Sequence, residues 1–124
     1  ARLLIVDDET MLLQLLRRYL ERQGHQVETA ESAESALAAF QAGGKEFDAV
    51  IAELTLPGMN GEQLIGELRH GNPKLPGIIA SGYPYEPQLS NVTFLQKPFL
   101  PQMLLEQLQF VFFQNQEKNL YDLM

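Results

Sequence analysis

Four short apolar runs in this chain are each followed at once by polar side chains that could take part in chemistry: Asp7 and Asp8, Glu53, Ser81 and Lys97. Because ligands and catalytic groups gather beyond the carboxyl ends of the strands in an open parallel sheet, four strands ending in this way would bring these side chains into one cleft. Such a cleft would be acidic, with one cation and one hydroxyl. It would suit a divalent metal ion and a phosphoryl group.

The segments that would position these groups alternate between strands and helices. The runs at residues 3–6, 49–52 and 77–80 are almost wholly apolar, as expected of parallel strands covered on both faces. Helices are predicted at residues 9–23, from Ser32, after Gly61 and from Pro101. We therefore predict an α/β chain with a flavodoxin-like, doubly wound sheet of five parallel strands in the order 2-1-3-4-5.

The fourth crossover is predicted to lack a full helix. Only residues 82–91 separate Ser81 from the last strand, whereas parallel strands usually need a crossover of about a dozen residues or more. Pro84 and Pro87 both lie in this stretch, and proline opposes a helix interior. We expect the fourth helix to be shortened or missing.

Composition limits the class of protein. The chain has 124 residues, enough for one domain over residues 1–124, and 45% of them are hydrophobic. Its net charge of −7 argues against direct binding of nucleic acid, and its apolar stretches are too short to span a membrane. The absence of cysteine fits a cytoplasmic location. Because the chain starts at Ala1, almost directly on a strand, we expect it to be a domain of a longer protein.

These motifs, in this order, resemble the receiver domain of bacterial two-component signalling, the module that accepts a phosphoryl group from a histidine kinase. The resemblance covers essentially the whole chain and rests on Asp7-Asp8, Glu53 with Pro57-Gly58-x-Asn60-Gly61, Ser81 and Lys97-Pro98-Phe99. The amino-acid sequences around Ser81 and Lys97 resemble those of receivers in hybrid sensor kinases. One position departs from the family, because the family carries its phosphoryl group on an aspartate where this chain has Glu53.

The resemblance implies a site and its partners. It makes Asp8 a direct ligand of a weakly bound Mg²⁺, makes Asp7 partly a water-mediated ligand, and adds the backbone carbonyl of Thr55 beside Glu53. It also implies that Ser81 and Lys97 contact the phosphoryl group, that the Lys97-Pro98 peptide bond is cis, and that Phe94 is either an aromatic switch or plain core. The implied partner is a histidine kinase or phosphotransfer domain, and the domain itself would be regulatory, not an enzyme.

Glu53 decides whether phosphorylation can occur. Glutamate adds one methylene to aspartate, and a misplacement of about 1 Å near the reacting atoms can cost about a hundredfold in rate. We therefore predict poor or no phosphoryl acceptance. The longer acid would instead reach Lys97 or crowd the metal site, partly imitating an added negative charge. The sequence leaves open whether Glu53 is natural or engineered.

Two other functional classes share this fold. A Mg²⁺-dependent phosphatase of the haloacid dehalogenase type needs an Asp-x-Asp pair, which Asp7-Asp8-Glu9-Thr10 does not supply. A flavodoxin-like nucleotide or flavin binder needs a phosphate-binding loop after the first strand, where this chain has two aspartates. A phosphorylation-independent interaction module is a further alternative.

The C-terminal segment is more apolar than one buried helix face requires. Phe110 to Phe113 form one cluster, and Leu120, Tyr121, Leu123 and Met124 form a second. Two interpretations remain open: a partner or homodimer surface on the C-terminal helix, and a tail that folds back over the edge of the core.

Overall fold

The computed structural model describes residues 1–43 and 46–123, which form one parallel α/β sheet structure. Its elements are β1 (Arg2–Val6), α1 (Thr10–Arg22), β2 (Gln26–Ala30), α2 (Ala33–Ala42), β3 (Ala49–Glu53), α3 (Gly61–Leu68), β4 (Gly77–Ser81), β5 (Val92–Gln96) and α4 (Pro101–Leu123). The strands are parallel and run in the order β2-β1-β3-β4-β5. The predicted fold class and strand order are confirmed.

Two apolar layers cover the sheet, because successive side chains of each strand point to opposite faces. Leu4 and Val6 of β1 pack with α2 and α3 on one face. Leu3 and Ile5 pack on the other face, where Leu13, Leu16 and Leu20 of α1 meet Leu104, Leu108 and Val111 of α4. All of these core side chains are buried. α1 and α4 therefore lie on the same side of the sheet.

The turn after β3 depends on two glycines. Gly58 has a φ of 78°, a left-handed conformation that glycine adopts without strain. Gly61 begins α3 directly against the end of β3, and a Cβ at this position would collide with the Glu53 carbonyl oxygen. Asn60 caps α3 by accepting a hydrogen bond from the Gln63 N–H at 2.8 Å. The loop beside Glu53 is thus held from both ends.

No helix forms between β4 and β5, as the prolines predicted. We call residues 82–91 the strap. Glu62, buried at the start of α3, holds the strap by accepting hydrogen bonds from the Tyr85 hydroxyl and from the Gln88 and Leu89 N–H groups, the last two at 2.6 and 2.8 Å. Tyr85 and Leu89 also pack against the apolar core.

Arg69 fixes the far end of the strap. Its guanidinium donates to the carbonyls of Leu75 at 2.9 Å, Ser90 at 2.8 Å and Asn91 at 3.3 Å. Glu62 in α3 and Arg69, which directly follows α3, thus hold the two ends of the strap by hydrogen bonds in the absence of a helix. The strap therefore has a defined structure without any repeating backbone pattern.

α4 continues without a break to Leu123. Val111 is buried and Phe112 packs against the core, whereas Phe110, Phe113 and Leu120 are exposed. Part of this helix therefore covers the core and part is exposed, so both interpretations of the C-terminal segment stay predictions. The side chains of Tyr121 and Leu123, and all of Met124, lie outside the described residues. Over the part of the chain that is described, no helix is long and apolar enough to cross a membrane.

Candidate functional site

The strand register brings the predicted polar residues to one edge of the sheet. Val6 pairs with Ala52, Glu53 with Ala80, and Ser81 with Gln96. The Lys97 N–H then donates to the Ser81 carbonyl at 2.8 Å, which continues the ladder one residue past β5. The Lys97-Pro98 peptide bond is cis, as the resemblance implied.

Lys97 is the centre of this edge. Its Nζ lies 2.8 Å from Asp7 Oδ2, 2.6 Å from Glu53 Oε2 and 3.4 Å from Glu9 Oε1. Its side chain is 15% exposed, against 5% for Asp7 and 11% for Glu53. Ion pairs this shielded from water are screened far less than surface pairs. The ammonium therefore supplies the relief of carboxylate repulsion for which the sequence suggested a metal ion.

Asp7 and Glu53 meet Lys97 in different ways. Asp7 accepts a hydrogen bond from Lys97 Nζ through Oδ2 and one from the Glu9 N–H through Oδ1, at 2.9 Å. Glu53 Oε2 is buried and, although close to Lys97, has no partner with hydrogen-bond geometry within the described residues. Both oxygens of Asp7 therefore accept hydrogen bonds, whereas the contact of Glu53 Oε2 with Lys97 is an ion pair only.

Burial sets the charge balance of the site. It raises the pKa of Glu53 above its ordinary value, and the Lys97 ammonium only partly offsets this. Burial would lower the pKa of Lys97, but the close contacts with Asp7 and Glu53 and their negative charges outweigh it and raise that pKa. Lys97 is therefore a permanent cation at neutral pH, and Glu53 takes up a proton more easily than an ordinary glutamate does.

Ser81 is buried at the end of β4. Its Oγ accepts a hydrogen bond from the Tyr83 N–H at 3.0 Å, so its own O–H remains able to donate. Asp8 and Thr55 lie at the same edge with exposed side chains. Phe94 is half-buried in β5.

The donor chemistry of this edge fits a hard divalent ion. Among the described residues, no three His, Cys, Asp or Glu side chains converge as a ready cation site, because Asp7 and Glu53 are directed at Lys97. The exposed Asp8 carboxylate nevertheless offers the kind of hard oxygen that Mg²⁺ prefers. Asp8 and Glu53, with Asp7, are the residues that would hold the ion.

A cavity of about 460 Å³ opens beside Lys97. Its walls are partly apolar and come from the start of α1, from the strap and from the β5–α4 connection: Glu9, Leu12, Gly82, Lys97, Pro98 and Phe99. Lys97 thus forms part of the wall of this cavity.

Sequence reasoning missed two residues that matter at this edge. Glu9 reaches Lys97 from the residue before α1, and its place immediately after the Asp7-Asp8 pair was the available signal. Gln96 donates through Nε2 to the carbonyls of Gly82 at 2.8 Å and Lys97 at 3.0 Å, linking the strap to the segment after β5. Nothing in the periodicity of β5 distinguishes this glutamine.

Comparisons with known proteins agree with this geometry. The family model described as the response regulator receiver domain matches residues 3–109. The Brucella abortus sensor kinase CckA is 33% identical over 105 residues, covering 80% of this chain and 11% of that protein. The Pseudomonas aeruginosa response regulator protein FleR is 35% identical over 83 residues, covering 67% of this chain and 17% of that protein. The chain thus spans less than a fifth of these relatives.

Solved structures give the same result. The receiver domain from the hybrid histidine kinase CckA superposes with a TM-score of 0.81 at 29% identity, covering 90% of this chain and 98% of that one. The response regulator protein TrrA from Thermotoga maritima, in complex with Mg²⁺-BeF, superposes with a TM-score of 0.76 at 32% identity, covering 89% of this chain and 97% of that one.

Proposed function

The chain belongs to the response regulator receiver domain family, and from that premise we propose that it is a two-component receiver in which phosphorylation at Glu53 is impaired. The observation that carries the proposal is the position of Lys97, 2.8 Å from Asp7 and 2.6 Å from Glu53. The group that would neutralise an incoming phosphoryl is already bound to the longer acid. Phosphoryl transfer relies on positioning and charge, and the glutamate changes both.

The same contact supports a phosphorylation-independent signalling role. A carboxylate held on Lys97 places negative charge where the family would place it by phosphorylation. The domain would then bind its partners in one state, with Ser81 buried and the strap fixed by Glu62. The expected partner is a histidine kinase or phosphotransfer domain in the cytoplasm, and the domain would be one module of a longer protein.

The phosphatase alternative finds less support at this edge. Such an enzyme needs an aspartate nucleophile at the end of the first strand. Asp7 occupies that place, but it is 4% exposed and both of its oxygens already accept hydrogen bonds. An aspartate engaged in this way is poorly placed to attack phosphorus, so we favour a regulatory domain over an enzyme.

The direct test uses a small phosphodonor. The chain incubated with acetyl phosphate and Mg²⁺ is expected to show no stable acyl phosphate by intact-mass spectrometry. The reason is that Glu53 has a carboxylate but is one methylene longer than aspartate, so the carboxylate is misplaced for attack on phosphorus. Glu53→Gln, which lacks the carboxylate, sets the background for non-specific adducts. A robust phosphate on the chain that is absent from Glu53→Gln would overturn the proposal.

Mg²⁺ is proposed to bind weakly through Asp8, with Asp7, Glu53 and the Thr55 carbonyl nearby. Asp8→Ala is expected to abolish binding in a calorimetric titration, because it removes the one exposed carboxylate of the set. Glu21→Ala, at the opposite end of α1, is the matched control and should leave the affinity unchanged. Equal affinities for Asp8→Ala and the unsubstituted chain would count decisively against this site.

A further inference from the structure

One side-chain amide lies between the two segments that carry Ser81 and Lys97. Gln96 is the last residue of β5, and its Cα pairs with that of Ser81 at the end of β4. Its Nε2 group donates to the carbonyls of Gly82 at 2.8 Å, Lys97 at 3.0 Å and Ser81 at 3.4 Å. An amide nitrogen has two hydrogens, so the two shorter hydrogen bonds use both of them and the longest contact is weak.

These hydrogen bonds extend the β4–β5 pair beyond its last backbone bond. That last bond runs from the Lys97 N–H to the Ser81 carbonyl at 2.8 Å. After it, the chain enters the strap on one side and the connection to α4 on the other, and neither segment is a strand. The Gln96 amide bonds one carbonyl of each segment, so it holds the start of the strap against the residue that carries the ammonium group.

The alternation of β5 directs Gln96 toward the strap. Successive side chains of a strand point to opposite faces of the sheet. Val92 packs against the apolar layer that includes the strap, whereas Leu95 packs in the layer that lies under α1 and α4. Gln96 shares the face of Val92, because it lies four residues further along the strand. The glutamine side chain therefore meets the strap where the strap begins.

Gly82 depends on this amide for its position. A Cβ at Gly82 would meet no atom within 4 Å, so packing does not hold this residue. Among the described residues, no other hydrogen bond reaches its backbone. The other two anchors of the strap, Glu62 and Arg69, act further along the chain, from Tyr85 onward. Loss of the Gln96 amide would therefore free the start of the strap and leave the rest in place.

The same short segment orients the Ser81 hydroxyl. Ser81 Oγ accepts a hydrogen bond from the Tyr83 N–H at 3.0 Å, and Tyr83 directly follows the residue that the Gln96 amide holds. If this segment moved, the bond to Oγ would move with it, and the direction in which the O–H can donate would change. One amide thus fixes the backbone beside the hydroxyl and the backbone of Lys97.

We propose that Gln96 is a positioning residue of the receiver site, which sets the separation between the Ser81 hydroxyl and the Lys97 ammonium group without touching a phosphoryl group itself. Phosphoryl transfer depends on donors and charges that are held in place beforehand, so a looser pair transfers more slowly. The effect on phosphoryl transfer rests on the receiver function proposed above. The effect on Lys97 can be measured without it.

The first experiment follows the Lys97 ammonium group in the chain as it stands. Its side chain is only 15% exposed, so nitrogen-15 NMR can measure the exchange of its protons with water. Gln96→Met keeps the length of the side chain and removes both donors, and it should speed this exchange about threefold or more, the change expected from one lost hydrogen bond. Gln88→Met is the matched control on the strap, where the glutamine amide bonds the Glu86 carbonyl at 3.2 Å, and it should leave the exchange unchanged.

The second experiment measures phosphoryl uptake in the Glu53→Asp background with acetyl phosphate and Mg²⁺. The phosphoryl group passes to the carboxylate at position 53, and acetate leaves with the bonding electron pair. Adding Gln96→Met should slow uptake by about tenfold, a smaller loss than a misplacement of about 1 Å causes. Mg²⁺ affinity should stay the same, because Asp8 follows β1 and Gln96 does not contact it. The denaturation midpoint should also stay the same, because Glu62 and Arg69 still hold the strap.

The results separate positioning from a purely structural role. Equal ammonium exchange in Gln96→Met and Gln88→Met, or equal uptake with and without Gln96→Met, would overturn the proposal. A parallel loss of uptake, Mg²⁺ affinity and stability would also overturn it, because that is the pattern of a residue that only supports the fold. If Glu53→Asp takes up no phosphate, the failure lies with the proposed function, and the ammonium exchange decides the role of Gln96.

Discussion

Glu53→Asp is expected to convert a chain that takes up no phosphoryl group into one that acetyl phosphate modifies in the presence of Mg²⁺. The substitution withdraws the carboxylate by one methylene from Lys97, which it now contacts at 2.6 Å. It leaves Asp7, Asp8, Ser81 and Lys97 at the same edge of the sheet. If reach alone is at fault, the gain in rate should be about a hundredfold or more, which is the effect of a misplacement of about 1 Å.

The experiment compares three chains by intact-mass spectrometry under one set of conditions. Glu53→Asp should gain a phosphate that is lost on treatment with hydroxylamine, the expected behaviour of an acyl phosphate. Glu53→Gln should gain none. A third variant, Glu53→Asp with Asp8→Ala, should also gain none, because the metal-binding carboxylate is missing. This last control separates acceptance in the site from modification elsewhere.

If Glu53→Asp gains no phosphate, the length of the side chain at position 53 is not the only obstacle to phosphorylation. The structure identifies where a further obstacle would lie. Asp7 and Glu9 also hold Lys97, at 2.8 and 3.4 Å, so the lysine could stay on these two carboxylates instead of moving to a phosphoryl oxygen. Glu9→Gln in the Glu53→Asp background would then be the next substitution to measure.

The fold could be predicted from the sequence because it depends on short, local sequence patterns. Near-continuous apolar runs predicted buried parallel strands, and Pro84 and Pro87 predicted the absence of a helix within residues 82–91. Ser32 caps α2 through its side chain, as its residue type favours. Each of these inferences depends on residues close together in the chain, where backbone geometry limits the outcomes.

The contacts within the site could be predicted only in part from the sequence. Strand ends predicted that Asp7, Glu53 and Lys97 would meet, and they do. The sequence could not show that Lys97 would bind both acids at once, because a lysine side chain has many rotamers and its choice depends on burial. For the same reason, the sequence placed Glu9 at the start of a helix but did not predict that it would be a third acidic neighbour of Lys97.

Glu62 shows most clearly what sequence patterns leave out. At the first turn of α3, an acidic residue is favoured by the helix dipole and needs no other explanation. Its actual partners, Tyr85, Gln88 and Leu89, lie in the strap, which has neither helical nor strand periodicity. Without a repeating pattern, only the folded geometry reveals that this carboxylate organises the segment.

Glu62→Ala is expected to destabilise the fold by about 3 kcal/mol at neutral pH, since hydrogen bonds to a charged group contribute about 1.5–3 kcal/mol each and water replaces part of the loss. The Tyr85 hydroxyl and the two strap N–H groups all lose their acceptor. Glu62→Gln keeps one neutral acceptor oxygen and replaces the other with a donor, so it should cost less than Glu62→Ala but should not be neutral. Chemical denaturation measures both, and hydrogen exchange at the Gln88 and Leu89 amides should accelerate more than exchange in β1.

The pH dependence of this effect has a definite sign. Burial alone would raise the pKa of Glu62, but the Tyr85 hydroxyl, the Leu89 and Gln88 amides and the Arg69 charge outweigh it and lower that pKa below its ordinary value. A carboxyl with a lowered pKa in the folded state contributes stability above its ordinary pKa and loses it as the pH falls through the folded value. The stability gap between the unsubstituted chain and Glu62→Gln should therefore be full at neutral pH and close in acid.

Glu67→Ala is the matched control for this prediction. Glu67 lies on the same helix, but its contact with His70 is a 3.6 Å surface pair with exposed fractions of 51% and 79%. Such a pair contributes about 0–1 kcal/mol, so the control should change stability little and should leave strap exchange unchanged. If Glu62→Ala costs no more than Glu67→Ala, or if the Gln88 and Leu89 amides exchange at the same rate in both, Glu62 does not hold the strap. The segment would then be ordered by the packing of Tyr85 and Leu89 alone.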